Sequence, residues 1–111
     1  MARPDTSAAP LEALGDPHRR AIVRLLGEGE RSVQSLADDL PISRPAVSRH
    51  LRLLKEAGLV ADEARGTQRL YHLREEGVEA VRAFLEAVWG ETAARFRLAA
   101  ENLSPGEERE R

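Results

Sequence analysis

The stretch PISRPAVSRHLRLLKEAGLV, Pro41 to Val60, decides the reading of this chain. It predicts one helix with a defined start and stop. Ser43 supplies an N-cap, and Arg44 and Pro45 fall in the first turn, where a missing N–H costs nothing. Gly58 suits a left-handed cap at the far end, with Leu59 as the apolar residue beyond it. At about 100° per residue, Val47, His50, Leu51 and Leu54 gather on one side. Arg44, Pro45, Ser48, Arg49, Arg52 and Lys55 fall on another, and no acid interrupts them before Glu56. A polyanion fits such a face.

Upstream, Ser32 caps a short helix whose core set is Val33, Leu36, Ala37 and Leu40, and Pro41 breaks it. Two helices joined by a tight turn, the second exposing small, polar and basic residues, form a helix-turn-helix pattern. Further back, Asp16 followed by Pro17 is an N-cap with proline at the first helical position. That helix carries Ile22, Val23, Leu25 and Leu26 and ends near Gly27 to Gly29. Ala8 to Leu14 reads as a short helix with Leu11 and Leu14 facing inward. Residues 1–7 read as a frayed N-terminus.

Downstream, Leu59 to Ala64 and Gln68 to Leu73 are β-compatible runs separated by Arg65-Gly66-Thr67, where Gly66 can take a positive φ. A hairpin here serves as a wing, or simply covers the edge of the core. From Glu75 the helical period returns. Val78, Val81, Leu85 and Val88 form one stripe, and Trp89, Ala93, Phe96, Ala100 and Leu103 form another. The stripe slips near Gly90, so either the helix bends there or two helices meet. Together the stripes are too wide for one short domain to bury, which points to a second copy of the chain. Ser104 to Arg111 (SPGEERER) reads as a disordered charged tail. The expected organisation is one domain over residues 8–103, mostly α with a β-hairpin wing, in the order α-α-α-α-β-β-α.

The formal net charge of −2 over 111 residues conceals a strong segregation. Seven Lys and Arg against three acids give residues 42–74 a charge of +4, whereas residues 1–41 carry −2 and residues 75–111 carry −4. Local potential rather than net charge steers a phosphate backbone. The sequence has no Cys, which excludes disulfides and thiolate metal sites. No apolar run approaches the ~20 residues of a membrane span, and no signal-peptide pattern opens the chain, so a cytoplasmic protein is expected. Catalysis finds no support: there is no nucleophile–base arrangement, no Gly-rich phosphate loop and no pair of carboxylates in an apolar setting.

With LEALGDPHRRAIVRLL (11–26), PISRPAVSRHLRLLKEAGLV (41–60) and QRLYHL (68–73) in order, the chain resembles the ArsR/SmtB family of bacterial winged-helix transcription regulators over roughly residues 10–100. The resemblance implies a cytoplasmic homodimer that binds a palindromic operator on double-stranded DNA and usually represses. It implies a recognition helix from Ser43 to Ala57 and a wing tip from Arg65 to Arg69. It also implies dimerisation through the first and last helices, with Leu11, Leu14, Val81, Leu85, Val88, Trp89 and Phe96 as candidates for the seam.

Many members of that family sense metals through a Cys pair in the helix before the recognition helix. Here that helix reads SVQSLADDL. Others use ligands on the last helix, where this chain offers Glu75, Glu76, Glu79 and Glu86 with His72 just before, but no later His. GDPHRRAIV and VWGETAARF resemble a metal-independent branch, so no metal ligand or cofactor is assigned and the effector stays open. A regulator gated by an O- or N-bound metal near His72 and Glu75, and a winged-helix module used for protein contact, are the alternatives. His50 is expected to be a satisfied core residue and His18 a surface or capping residue.

A recognition helix lies in the major groove with its N-terminal end nearest the bases. Arg44 and Arg49 then suit guanine edges, since the guanidinium fork pairs with O6 and N7. Ser43 and Ser48 are short donors. Pro45 offers an apolar contact or merely starts the helix. Arg52 and Lys55 suit phosphates, and Arg65 and Arg69 suit the minor groove or its phosphates, with Thr67 and Gln68 in support.

Overall fold

Three helices begin where a side-chain oxygen is ready to accept their first amides. A computed structural model describes residues 8–101. Its elements are α1 (Ala8–Ala13), α2 (Pro17–Leu26), β1 (Arg31–Ser32), α3 (Val33–Asp39), α4 (Arg44–Glu56), β2 (Val60–Arg65), β3 (Gln68–Leu73) and α5 (Glu75–Glu101). The expected frayed N-terminus, Leu103 and the charged tail lie outside the described residues. Asp16 caps α2 through Oδ1, which accepts from the amides of His18 at 2.7 Å and Arg19 at 3.2 Å. Ser32 accepts from Ser35 N–H at 3.1 Å to cap α3, and Ser43 accepts from Ala46 N–H at 3.2 Å to cap α4. Leu40 ends α3 in extended backbone (φ −122°, ψ 148°), the region left to a residue that precedes proline.

The end of α4 closes as a Schellman motif. Leu59 N–H donates to Leu54 C=O and Gly58 N–H to Lys55 C=O, both at 3.0 Å, with Gly58 at φ +85°. The hairpin that follows pairs Val60 with Leu73 through to Arg65 with Gln68. Its two-residue loop places a positive φ (+65°) on Gly66 alone, as a II′-type turn requires.

The sheet has three strands rather than the two expected, in the order β1-β3-β2. Arg31 pairs with Tyr71 and Ser32 with Leu70. Ser32 must already be extended to cap α3 (φ −86°, ψ 167°), so lending its backbone to the sheet requires no new conformation.

The chain divides into two units, Met1–Val81 and Arg82–Arg111, and α5 contributes to both. In the first, Ile22, Leu36, Val47, Leu51 and Leu54 are fully buried, joined by Leu26, Leu59, Val60 and Val81. Leu11 and Leu14 are half-buried against this core. Val81, expected in a seam between two chains, is corrected here: at 9% exposure it belongs to the chain's own core. In the second unit, Trp89 and Phe96 are 70% and 76% exposed and Leu85 and Val88 about half exposed. The helix is continuous through Gly90, so two helices do not meet there. A glycine in a helix interior costs ~1 kcal/mol relative to alanine, and the helix carries that cost without breaking.

Gly77 is the most closely approached glycine of the first unit. Arg74 N–H donates to Leu59 C=O at 2.8 Å and brings the first turn of α5 against the end of α4. A Cβ on Gly77 would stand 2.2 Å from Gly58 C=O, and the obstacle is backbone that cannot swing aside. Gly77→Ala is therefore expected to destabilise the fold by about 1–3 kcal/mol, the range for overpacking. Urea unfolding with an unchanged midpoint would show that the two helices part without cost.

Candidate nucleic-acid interface

The face of α4 opposite its buried side carries the cations. Val47, His50, Leu51 and Leu54 point inward, and Arg44, Pro45, Ser48, Arg49 and Arg52 are all exposed. Among the described residues, Arg44, Arg49 and Arg52 have no carboxylate partner. Ser43 is also exposed, but its hydroxyl is engaged as the cap of the same helix. Beside the N-terminal turn of α4 lies an open groove of about 320 Å³. Arg44, Ser32 and Gln34 line one part of it and Thr67, Gln68 and Arg69 of the wing another.

The other expected cations are occupied. Lys55 Nζ lies 2.8 Å from Asp62 Oδ1, and Arg69 NH1 lies 2.8 Å from Asp62 Oδ2. Asp62 thus joins the last turn of α4 to β3, with its own side chain only 7% exposed. The hydrogen-bonded Lys55 ammonium, with Arg69 beside it, holds this carboxyl below the usual carboxylate range despite its burial. At the wing tip, Arg65 pairs with Glu30 at 2.9 Å and with Glu63. Glu63 is held below its ordinary value by that Arg65 hydrogen bond, and Arg65 is raised in return. The structure therefore separates two sets that sequence alone placed together: three arginines of α4 with no acid on them, and Lys55, Arg65 and Arg69, each held by an acid of the same chain.

His50 anchors α4 from behind. The ring is 8% exposed, and its Nδ1 lies 3.3 Å from Arg19 NH1. A guanidinium can only donate, so Nδ1 accepts and the ring proton sits on Nε2. Arg19 also donates from Nε to Ala13 C=O at 2.6 Å, and Arg20 donates to Leu14 C=O at 2.9 Å. These bonds satisfy carbonyls left over at the end of α1, and Arg19 ties α1, α2 and α4 together. The rings of His18 and His50 meet at 5.8 Å, so two of the three histidines come together although they lie on separate elements. Among the described residues no group of three or more His, Cys, Asp or Glu is arranged to hold a metal.

The sequence pattern of the bacterial regulatory protein arsR family matches residues 16–62, which include α2 to α4 and the first residues of the wing. A regulator from Mycobacterium tuberculosis, the HTH-type transcriptional regulator Rv2034, is 51% identical over 78 residues, covering 70% of this chain and 73% of that protein. The chain belongs to the ArsR family of bacterial regulatory proteins. The HTH-type transcriptional repressor SmtB of the same species is 45% identical over 69 residues, covering 62% of this chain but only 51% of SmtB. Among solved structures, a homodimeric winged helix-turn-helix DNA-binding domain from Mycobacterium bovis superimposes with a TM-score of 0.65 at 31% identity, covering 82% of this chain and 84% of that one. This ArsR-family chain shares its winged helix-turn-helix fold, and its family is one of transcriptional regulators.

Sequence reasoning missed Asp62, Glu30 and β1. Asp62 lies in the strand VADEAR, next to a second acid, which gives no sign that its side chain turns back to α4. The pairing of Lys55 with Asp62 spans an entire helix cap and could not be read from spacing.

Burial pushes the pKa of His50 below its ordinary 6.5 and Asp16 opposes this, whereas Arg19, Arg49 and His18 reinforce it. The unfolded chain then takes up the proton first as pH falls. Stability is complete above about 6.5 and declines below it, until the lower folded-state pKa is passed. His50→Gln, which keeps an acceptor for Arg19, should flatten that decline. Thermal melts across this window that run parallel for the two proteins would remove His50 as its cause.

Proposed function

We propose that this protein is a sequence-specific double-stranded DNA-binding regulator that acts as a homodimer on a palindromic operator and represses transcription. The observation that carries the reading is the row Arg44, Ser48, Arg49 and Arg52, exposed on α4 with no acid on any of the three arginines among the described residues. In this reading Arg44 and Arg49 meet guanine edges, Arg52 meets phosphate, and Ser43, Pro45 and Ser48 approach the groove at close range. The wing residues Arg65, Thr67, Gln68 and Arg69 lie alongside the backbone, with Lys55 behind them.

Self-association runs through the apolar side of α5, where Leu85, Val88, Trp89 and Phe96 recur at helical spacing and are exposed. Leu11 and Leu14 would contribute what their own core leaves uncovered. The homodimeric state of the Mycobacterium bovis domain supports this arrangement. The proposed effector is not a metal: the sequence supplies no thiolate, and the regulator is assigned no cofactor. The proposed location is the cytoplasm; among the described residues no helix is long and apolar enough to cross a membrane.

Selection of bound duplexes from a random pool should return a two-fold symmetric site with half-sites about 34–36 Å apart, one helical turn. A pool that never enriches at low ionic strength overturns the reading. On the selected operator, Arg49→Ala is expected to cost about 1–3 kcal/mol and to relax the preference at one base pair of each half-site. Equal loss on every sequence would demote Arg49 to a phosphate contact. Phe96→Glu places a charge in the proposed seam and should shift the chain to monomer in sedimentation. A persistent dimer would move the seam elsewhere.

A further inference from the structure

A carboxylate on a surface that meets DNA repels the phosphates it faces, so its presence there calls for a reason. Two kinds of acid stand among the wing cations. Glu63 and Glu30 are exposed partners of Arg65, with 52% and 38% of their side chains accessible. Exposed pairs of this kind contribute little and exchange readily. Asp62 is different in three respects. Its side chain is 7% exposed, each of its oxygens takes a separate cation at 2.8 Å, and those cations come from two different elements. With a cation on each oxygen, a phosphate that draws one of them away leaves the carboxylate held by the other.

Lys55 and Arg69, by contrast, are each 55% exposed. They remain within reach of solvent and of an anion, but half of their combined charge is already neutralised. Arg69 also borders the groove that contains Arg44, so its direction sets where the wing side of that groove lies relative to the first turn of α4. The pair of ion pairs therefore does two things at once. It lowers the general attraction of this edge for phosphate, and it fixes one separation between the base-facing helix and the wing.

We infer that Asp62 is a specificity-determining positioning residue. It clamps Lys55 of α4 to Arg69 of β3 so that helix and wing reach DNA at one set distance, and it holds these two cations back from indiscriminate phosphate binding. The inference rests on the DNA-reading function proposed above.

The full-length chain carrying Asp62→Asn tests it, since asparagine is nearly isosteric and keeps an acceptor. Binding is measured against salt on the selected operator and on a scrambled duplex of equal length. On the scrambled duplex the variant should bind more tightly at low salt. Its log–log salt slope should steepen by about 0.9 to 1.8, the value for one or two further phosphate contacts. The ratio of operator to scrambled affinity should fall at least about fivefold, the scale of one mismatched base pair. A residue that merely supports the fold would weaken both duplexes together and leave the slope alone; that result overturns the inference. Asp62→Glu, which keeps the charge, should retain the wild-type slope, and it answers the question should the asparagine variant fail to melt as a folded protein. A steeper slope in Asp62→Glu would likewise count against the clamp. If the wild-type chain binds no duplex, the functional reading itself fails, before Asp62 is considered.

Discussion

One helix must serve two opposed demands, and the rest of the molecule follows from how that is met. The inner side of α4 supplies Val47, Leu51 and Leu54 to the core at zero exposure, and His50 beside them at 8%. A turn of the helix by one residue, about 100°, would carry Arg49 toward that core and strand its charge without a partner. The apolar spacing therefore dictates which side chains face outward as firmly as any contact with a ligand could. Ser43 at one end and the Schellman motif at the other set the length of the helix. Arg19, bonded to His50 and to the end of α1, prevents it from rolling.

The cations around this helix are of two kinds, and composition does not separate them. Arg44, Arg49 and Arg52 stand toward solvent with their full charge. Lys55, Arg65 and Arg69 share three acids of the same chain. The +4 of residues 42–74 is thus concentrated at the N-terminal and middle turns of α4, where a groove-reading helix meets base edges, and is diluted along the wing. A surface that carried all of it openly would hold any polyanion. One that carries it selectively leaves more of the binding free energy to sequence.

Much of this is legible in the sequence, for local reasons. Asp16, Ser32 and Ser43 cap helices because the side-chain oxygens that accept early amides leave a recognisable pattern before an apolar period. Gly58 and Gly66 were legible because each must take a positive φ. What escaped notice depends on distant partners. β1 is two residues long, carries no periodicity, and exists because β3 lies next to it. Asp62 reads as an ordinary polar strand residue. Val81 continues the same stripe as Leu85 and Val88, and periodicity cannot say at which member of a stripe burial by the chain's own core ends. Gly90 marks a slip in the pattern without a break in the helix, because no packed neighbour there demands a glycine.

The magnitudes bear on why two copies would be needed. Specific sites are typically bound about 4–10 kcal/mol more tightly than random DNA. A good bidentate contact discriminates by about 1–3 kcal/mol. With the proposed base contacts of Arg44 and Arg49, one α4 would supply about 2–6 kcal/mol, at or below the lower part of that range. In the proposed dimer, two copies joined through α5 would double the contacts and make the second engagement intramolecular, which would raise affinity with no new chemistry. The exposed Trp89 and Phe96 would give the proposed join a large apolar area. In the proposed function dimerisation would be part of the reading itself: a single chain would have the helix, but too few base contacts to select a site with it.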